Sequence, residues 1–168
     1  QLGMTKARLQ VVHNYLEDFQ PDGKDGIAFQ FSANPDSEPD EISKIASGGE
    51  MSRLMLAIKN LLRNSKALPT IVFDEIDTGV SGEIALKMGT IIKSFSANTQ
   101  IINITHLPQI AAKGDTHFKV YKFEEKGKTF TSIKALDAAE RVEELAKMVG
   151  GENLTETTIK AAEELLRI

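Results

Sequence analysis

The run Thr70-Ile71-Val72-Phe73-Asp74-Glu75-Ile76-Asp77 decides how this 168-residue chain folds. Ile71, Val72 and Phe73 have the unbroken β-branched and aromatic character of a central parallel strand. Three carboxylates, Asp74, Glu75 and Asp77, follow at once. In open α/β sheets ligands bind beyond the carboxyl ends of strands, so Asp74 and Glu75 lie where a nucleotide and its metal could be met. Carboxylate oxygens suit Mg²⁺, which keeps several waters and takes one or two protein carboxylates plus phosphate oxygens. A neighbouring glutamate can polarise an attacking water. The plainer alternative is a solvated acidic strand end, but two adjacent carboxylates directly after a buried strand are costly without a partner, which favours a functional reading.

Downstream, Thr78-Gly79-Val80-Ser81-Gly82 is a small-residue loop, and Ser81 or Gly82 opens a helix carrying Ile84, Met88, Ile91 and Phe95 on one face. A second strand, Gln100-Ile101-Ile102-Asn103-Ile104-Thr105-His106, follows. Strand, helix and strand in this order form a βαβ unit whose right-handed crossover places both strands in one parallel sheet. His106 therefore reaches the same carboxyl edge as Asp74 and Glu75. An imidazole there can donate to a phosphate oxygen, whereas a zinc role needs further ligands at recognisable spacing, which the sequence lacks. His13 and His117 read as structural.

Upstream, Ser47-Gly48-Gly49-Glu50-Met51-Ser52-Arg53-Leu54 joins a glycine turn to an amphipathic helix. Ser47 and Glu50 have capping-box spacing. Met51, Leu54, Met55, Ile58, Leu61 and Leu62 define an expected buried face, with Arg53, Lys59 and Arg63 largely opposite. Gly48 and Gly49 leave the first amides of the helix open to an anion, where the positive end of the helix favours a phosphate. An ordinary capped core helix fits this stretch equally well.

Toward the ends, residues 5–15 and 27–31 alternate as a hairpin-like pair around a polar loop, although 5–18 also suits a helical period. Asn34 to Glu41 reads as an exposed acidic loop. Leu107 to Ala112 gives a short helix started by Pro108. Residues 117–123 and 129–136 predict a hairpin around Glu124-Glu125-Lys126-Gly127-Lys128, followed by a helix capped by Asp137 and Glu140 and closed by Gly150-Gly151, and then a last helix from about Thr155. Gly127-Lys128-Thr129 imitates the end of a phosphate loop, but Lys122 stands where its first glycine belongs. The abrupt opening at Gln1 looks like the later part of a longer polypeptide.

The length suits one domain or one lobe of a larger one. No cysteine is present, which removes disulfides and thiolate metal sites and fits a reducing compartment. A net charge of −4 argues against a broadly basic nucleic-acid surface. No apolar run approaches the ~20 residues of a membrane span, and the chain reads as cytoplasmic.

Four features stand in a fixed order: Ser47-Gly48-Gly49-Glu50, Ile71 to Glu75, Thr78 to Gly82, and Thr105-His106-Leu107-Pro108-Gln109. That order resembles the signature, Walker B, D-loop and H-loop of an ABC-type ATPase head. Ala46 to Arg53, Phe73 to Gly82 and Ile104 to Ala112 are similar, more narrowly, to the RecN family of bacterial DNA-repair proteins, relatives of the SMC ATPases. The likeness covers nearly the whole chain, Leu2-Gly3-Met4 and the terminal helices included.

The resemblance implies an α/β fold, the C-terminal lobe of an ABC/SMC-type P-loop ATPase head, with a mostly parallel central sheet flanked by helices and with β-hairpins. Residues 1–41 would be the hairpin and acidic loop, 42–116 the core with all four motifs, and 117–168 a hairpin and terminal helices. Walker A would lie on an N-terminal lobe of the same polypeptide, and ATP with Mg²⁺ would be sandwiched against a second head. By that likeness Asp74 holds Mg²⁺ through water, Glu75 is the general base and His106 contacts the γ-phosphate. Ser47, Gly48 and Gly49, with Glu50, would grip the γ-phosphate of the opposite head. The D-loop departs from the usual pattern, with Ser81 where an aspartate is customary, which leaves the nucleotide contacts of Asp77 and Ser81 open. The implied function is ATP hydrolysis in DNA double-strand break repair and recombination, with DNA engaged by the assembled, nucleoid-associated protein. Rival readings are a head lobe of another SMC-like or ABC ATPase, or an interaction module without catalysis.

Overall fold

The computed structural model describes residues 2, 4, 6–44, 48–62 and 68–167, apart from the side chains of Asn60 and Leu62. It divides into two units, one comprising Gln1–Ala67 with Thr78–Val80, the other Leu68–Asp77 with Ser81–Ile168.

In the first unit the alternating N-terminal segments form strands β1, Arg8–Gln20, and β2, Gly23–Ser32. They pair antiparallel from Arg8↔Ser32 to Tyr15↔Asp25, and again at Gln20↔Gly23 beyond an irregularity. The period of two thus prevails over the helical alternative, and the loop is tighter than the expected polar stretch. Gly23 makes this possible, since its φ of 115 belongs to backbone that L side chains rarely adopt. Strand β3, Asp40–Glu41, pairs with Phe31 and Gln30 of β2. The acidic loop before it is held by Arg8, whose Nη2 donates to Ser37 O at 2.7 Å and Pro35 O at 3.1 Å.

Helix α1 spans Gly48–Leu62. Its expected single buried face is not what is observed: Leu54 and Leu56 are buried, whereas Met55 is 40% and Leu61 78% exposed. At about 100° per residue, Leu54 and Leu56 sit on nearly opposite sides of the helix. Burial from two sides, rather than one stripe, explains the mismatch. The Ser47 cap lies outside the described residues.

In the second unit, β4 (Thr70–Asp74) and β5 (Gln100–Ile104) form a parallel ladder in register from Thr70↔Gln100 to Asp74↔Ile104. Helix α2, Gly82–Phe95, is the crossover and buries Ala85, Met88, Gly89, Ile92 and Phe95. Ile84 and Ile91, expected in the core, are half-buried, one step around the wheel from the true centre. The Phe95 ring lies 6.2 Å from that of Phe73. Ile71 and Phe73 are buried, but Val72 is 57% exposed, as are Ile102 and Ile104 on the same side of β5 to about half. Among the described residues the parallel sheet is therefore only this pair, and the other two sheets are antiparallel. The expectation of a mostly parallel sheet fails because the unbroken apolar run is covered on one face alone.

A short helix α3, Pro108–Ala111, precedes the hairpin of β6 (Phe118–Glu125) and β7 (Lys128–Ala135). Lys126 and Gly127, at φ 53 and 72, form its two-residue turn, the left-handed pair that matches strand twist. The imitation phosphate loop is thus a hairpin tip. Helix α4, Ala138–Gly150, opens with the expected capping box of Asp137 and Glu140. Lys134, hydrogen-bonded to Glu140, holds that carboxyl below the usual carboxylate range. Helix α5, Glu156–Arg167, packs on α3 and α4 around Ala112, Leu145, Ala146 and Ala162. Arg141 of α4 ties this cluster to the end of α3, donating to Ala112 O at 2.7 Å. Among the described residues no helix is long and apolar enough to cross a membrane.

Candidate functional site

The carboxyl edge of the β4–β5 ladder gathers the chemistry of the second unit. Parallel register brings Asp74 level with Ile104, and Glu75 N donates to Ile104 O at 3.1 Å, so the ladder continues one residue past β4. There Glu75 turns into left-handed backbone, at φ 46. A glutamate in that region is uncommon and costs about 1–2 kcal/mol, and outliers of this kind cluster at working sites. Asp74 and Glu75 are both exposed, so burial does not make them costly as their sequence position suggested. The strand leaves one face open, and the strand end opens with it.

The buried carboxylate is instead Asp77, 1% exposed. Its Oδ2 accepts from Thr105 Oγ1, and Thr105 Oγ1 in turn accepts from Leu107 N at 3.0 Å. Oδ1 is enclosed with no hydrogen-bond partner. His106 stands 3.9 Å from it, Nδ1 to Oδ1, on a side chain 64% exposed. Thus Asp74 ends β4, Glu75 follows it, and His106 stands two residues beyond the end of the adjacent β5, next to the buried Asp77. Thr105 had not been singled out. Its signal was a hydroxyl two residues before the N-cap of a proline-started helix, the arrangement in which a side chain replaces a backbone acceptor.

In the first unit, Gly48, Gly49 and Glu50 form the first turn of α1. Around Gly48 there is open space, where an added Cβ meets nothing within 4 Å. At Gly49 it would meet Thr78 O at 3.1 Å, Arg53 Nη1 at 3.3 Å and Gly79 O at 3.4 Å. The helix start therefore approaches the turn after Asp77 closely, and a Cβ at Gly49 would press on its backbone. Gly79 itself has φ 72. Ser81 is the extended N-cap of α2 with no side-chain cap bond, and it is exposed.

Two structural features bear on an anionic ligand with a divalent cation. The first turn of α1 starts at Gly48, around which there is open space, and the N-terminal end of a helix favours a phosphate. The exposed Asp74 and Glu75 offer oxygen ligands to a hard cation that draws the rest of its shell from water and phosphate. Among the described residues no three His, Asp or Glu side chains converge as a protein-only metal cage.

No protein-family model matches the chain. It is 48% identical over 168 residues to the DNA repair protein RecN of Rickettsia conorii, covering 100% of this chain and 31% of that protein. To RecN of Haemophilus influenzae it is 41% identical over 167 residues, 99% of this chain and 30% of the relative. The chain thus spans about three-tenths of the length of the curated relatives it matches. Among solved structures, the Smc head domain with a coiled coil and joint from Pyrococcus yayanosii superposes with TM-score 0.63 at 20% identity, over 97% of this chain and 26% of that one. A structure from work on ATP-driven dimerization and DNA-stimulated activation of SMC ATPases gives 0.58 at 20% identity, over 88% and 84%. At such identities the likeness is one of fold, an α/β fold resembling the SMC head.

Proposed function

The chain is a RecN-family homologue along its whole length, and from that premise we propose that it is the C-terminal lobe of an ATP-hydrolysing head that acts in DNA double-strand break repair and recombination. The observation that carries this reading is Glu75, held in left-handed backbone just past the end of β4, with His106 two residues beyond the neighbouring strand β5. An exposed carboxylate fixed at such an edge, at an energetic cost, is what a general base for a water nucleophile needs.

In this reading Asp74 holds Mg²⁺ through water, Glu75 takes the proton of the attacking water, and His106 contacts the γ-phosphate. Bound ATP supplies the phosphoryl group that is transferred to water, with positioning and electrostatics providing most of the catalysis. Ser47, Gly48 and Gly49, with Glu50, serve the nucleotide of a second head. Ser81, exposed at the start of α2, is free to face a ligand. Asp77 is enclosed, and its role is a different one. An N-terminal lobe of the same polypeptide carries Walker A and covers the sheet face that presents Val72, Ile102 and Ile104. The assembled protein meets DNA in the cytoplasm, on the nucleoid.

The test is Glu75→Gln in the intact protein. Turnover falls roughly 10²–10⁴-fold while ATP binding persists and the two heads stay associated, because the amide keeps the shape but cannot accept the proton. Unchanged turnover removes Glu75 from the base role and leaves the interaction-module reading standing.

A further inference from the structure

We propose that Asp77 is the positioning residue of His106: its enclosed Oδ1 is the acceptor for His106 Nδ1, and this bond aims Nε2 at the ligand. The proposal rests on reading His106 as a phosphate contact.

An ionised carboxylate at 1% exposure is costly unless its lone pairs are used. Oδ2 is used, by Thr105 Oγ1. Oδ1 is not, and among the described residues the basic nitrogen within 4 Å of it is His106 Nδ1, at 3.9 Å. That gap exceeds a hydrogen bond by about 1 Å, which a small swing of an imidazole closes. The ring has room to swing, being 64% exposed. Its backbone has far less: Thr105, immediately before it, is tied to Asp77, and Leu107, immediately after it, donates to Thr105 Oγ1 at 3.0 Å. A pinned backbone, a mobile ring and an orphaned acceptor beneath it leave one economical motion. With Nδ1–H given to Asp77, Nε2 faces away from the enclosed carboxylate toward the ligand, and donating to a ligand oxygen there requires a proton on Nε2 as well. A ring protonated on both nitrogens then donates in both directions.

The experiment uses intact protein with ¹⁵N-labelled histidine, recorded with and without a non-hydrolysable ATP analogue and magnesium. His13 and His117 serve as internal controls. In the unsubstituted protein the His106 Nδ1 resonance takes a hydrogen-bonded position when the analogue binds, and Asp77→Asn abolishes that shift while the controls stay put. A His106 spectrum indifferent to Asp77→Asn, with and without the analogue, overturns the proposal whatever the kinetics. A spectrum that responds to Asp77→Asn but not to the analogue keeps the Asp77–His106 bond and sinks the phosphate reading instead. Turnover supplies a second arm. Asp77→Asn lowers kcat about tenfold or more with analogue affinity changed less than about threefold, and adds nothing once His106→Gln is in place. Full additivity of the two substitutions overturns the proposal. If Asp77→Asn lowers the melting temperature too far for study, Thr105→Val, which frees the pin but keeps the carboxylate, takes its place with the same non-additivity expected.

Discussion

Replacing Gly49 by alanine puts a methyl carbon 3.1 Å from Thr78 O, 3.4 Å from Gly79 O and 3.3 Å from Arg53 Nη1. The guanidinium is the end of a flexible side chain and can retreat. The two carbonyl oxygens are backbone and can yield only if the 78–79 turn moves. The same substitution at Gly48 meets nothing within 4 Å. Both residues lie in the first turn of α1, so each gains a similar helix-propensity term, up to about 0.5–1 kcal/mol from losing a glycine. Comparing the two variants cancels that gain and isolates the steric cost at Gly49, about 1–3 kcal/mol for overpacking. At roughly 2–4 °C per kcal/mol for a domain of this size, Gly49→Ala melts a few to about 12 °C below Gly48→Ala. Thermal unfolding of the intact protein followed by circular dichroism is the assay, read on the transition that includes this segment. Equal melting temperatures, or Gly49→Ala the more stable, refute the close approach of α1 to the turn.

Other consequences can be measured alongside. Glu75→Asn, a residue that tolerates left-handed backbone, raises stability by up to about 1 kcal/mol while abolishing turnover, and a variant that melts lower removes strain from the account of Glu75. Asp137→Ala breaks the capping box of α4 and costs about 0.5–2 kcal/mol, mostly restored by Asp137→Ser, as urea unfolding would register. Burial holds the His117 imidazole below its ordinary pKa, with the Arg141 cation adding to the effect. Its folded form therefore resists protonation, the unfolded chain takes up the proton first, and stability falls as pH drops through about 6.5. His117→Gln flattens that part of the stability profile, and an unaltered slope would assign it to other groups.

The sequence and the structure part company wherever burial depends on something outside a local pattern. The hairpin tip at Lys126-Gly127, the Asp137–Glu140 cap and the β4-α2-β5 crossover were all legible, because turn chemistry, capping spacing and element order are local signals. Helix α1 was misread at Met55 and Leu61 because a helical period identifies candidate faces without saying how many are covered. The carboxylates were misjudged in the same way. Asp74 and Glu75 stood out for directly following an apolar strand, yet the enclosed one is Asp77, whose Oδ2 is met by Thr105, 28 residues further on. What no spacing encodes is the left-handed backbone at Glu75, a property of how the strand ends rather than of the residue.

The one-sided strand pair connects these failures. Parallel strands are stable where both faces are covered, and Val72, Ile102 and Ile104 present apolar surface at 57%, 46% and 50% exposure opposite the face that α2 covers. Each such side chain, already about half-buried, forgoes about half of the ~1.5–3 kcal/mol that full burial is worth, roughly 1 kcal/mol. A sequence that places three of them on one face of its only parallel ladder among the described residues is written for a covering layer. In the proposed head that layer is the N-terminal lobe, and its arrival would bury the root of the same strand edge on which Asp74, Glu75 and His106 stand. Water would then be excluded from beside these groups, and electrostatic interactions with phosphate are strongest where water is excluded. In the proposed head, the exposure of Asp74 and Glu75 in this lobe is compatible with catalysis, because there the site would become dry only on assembly, with this chain supplying residues at its edge.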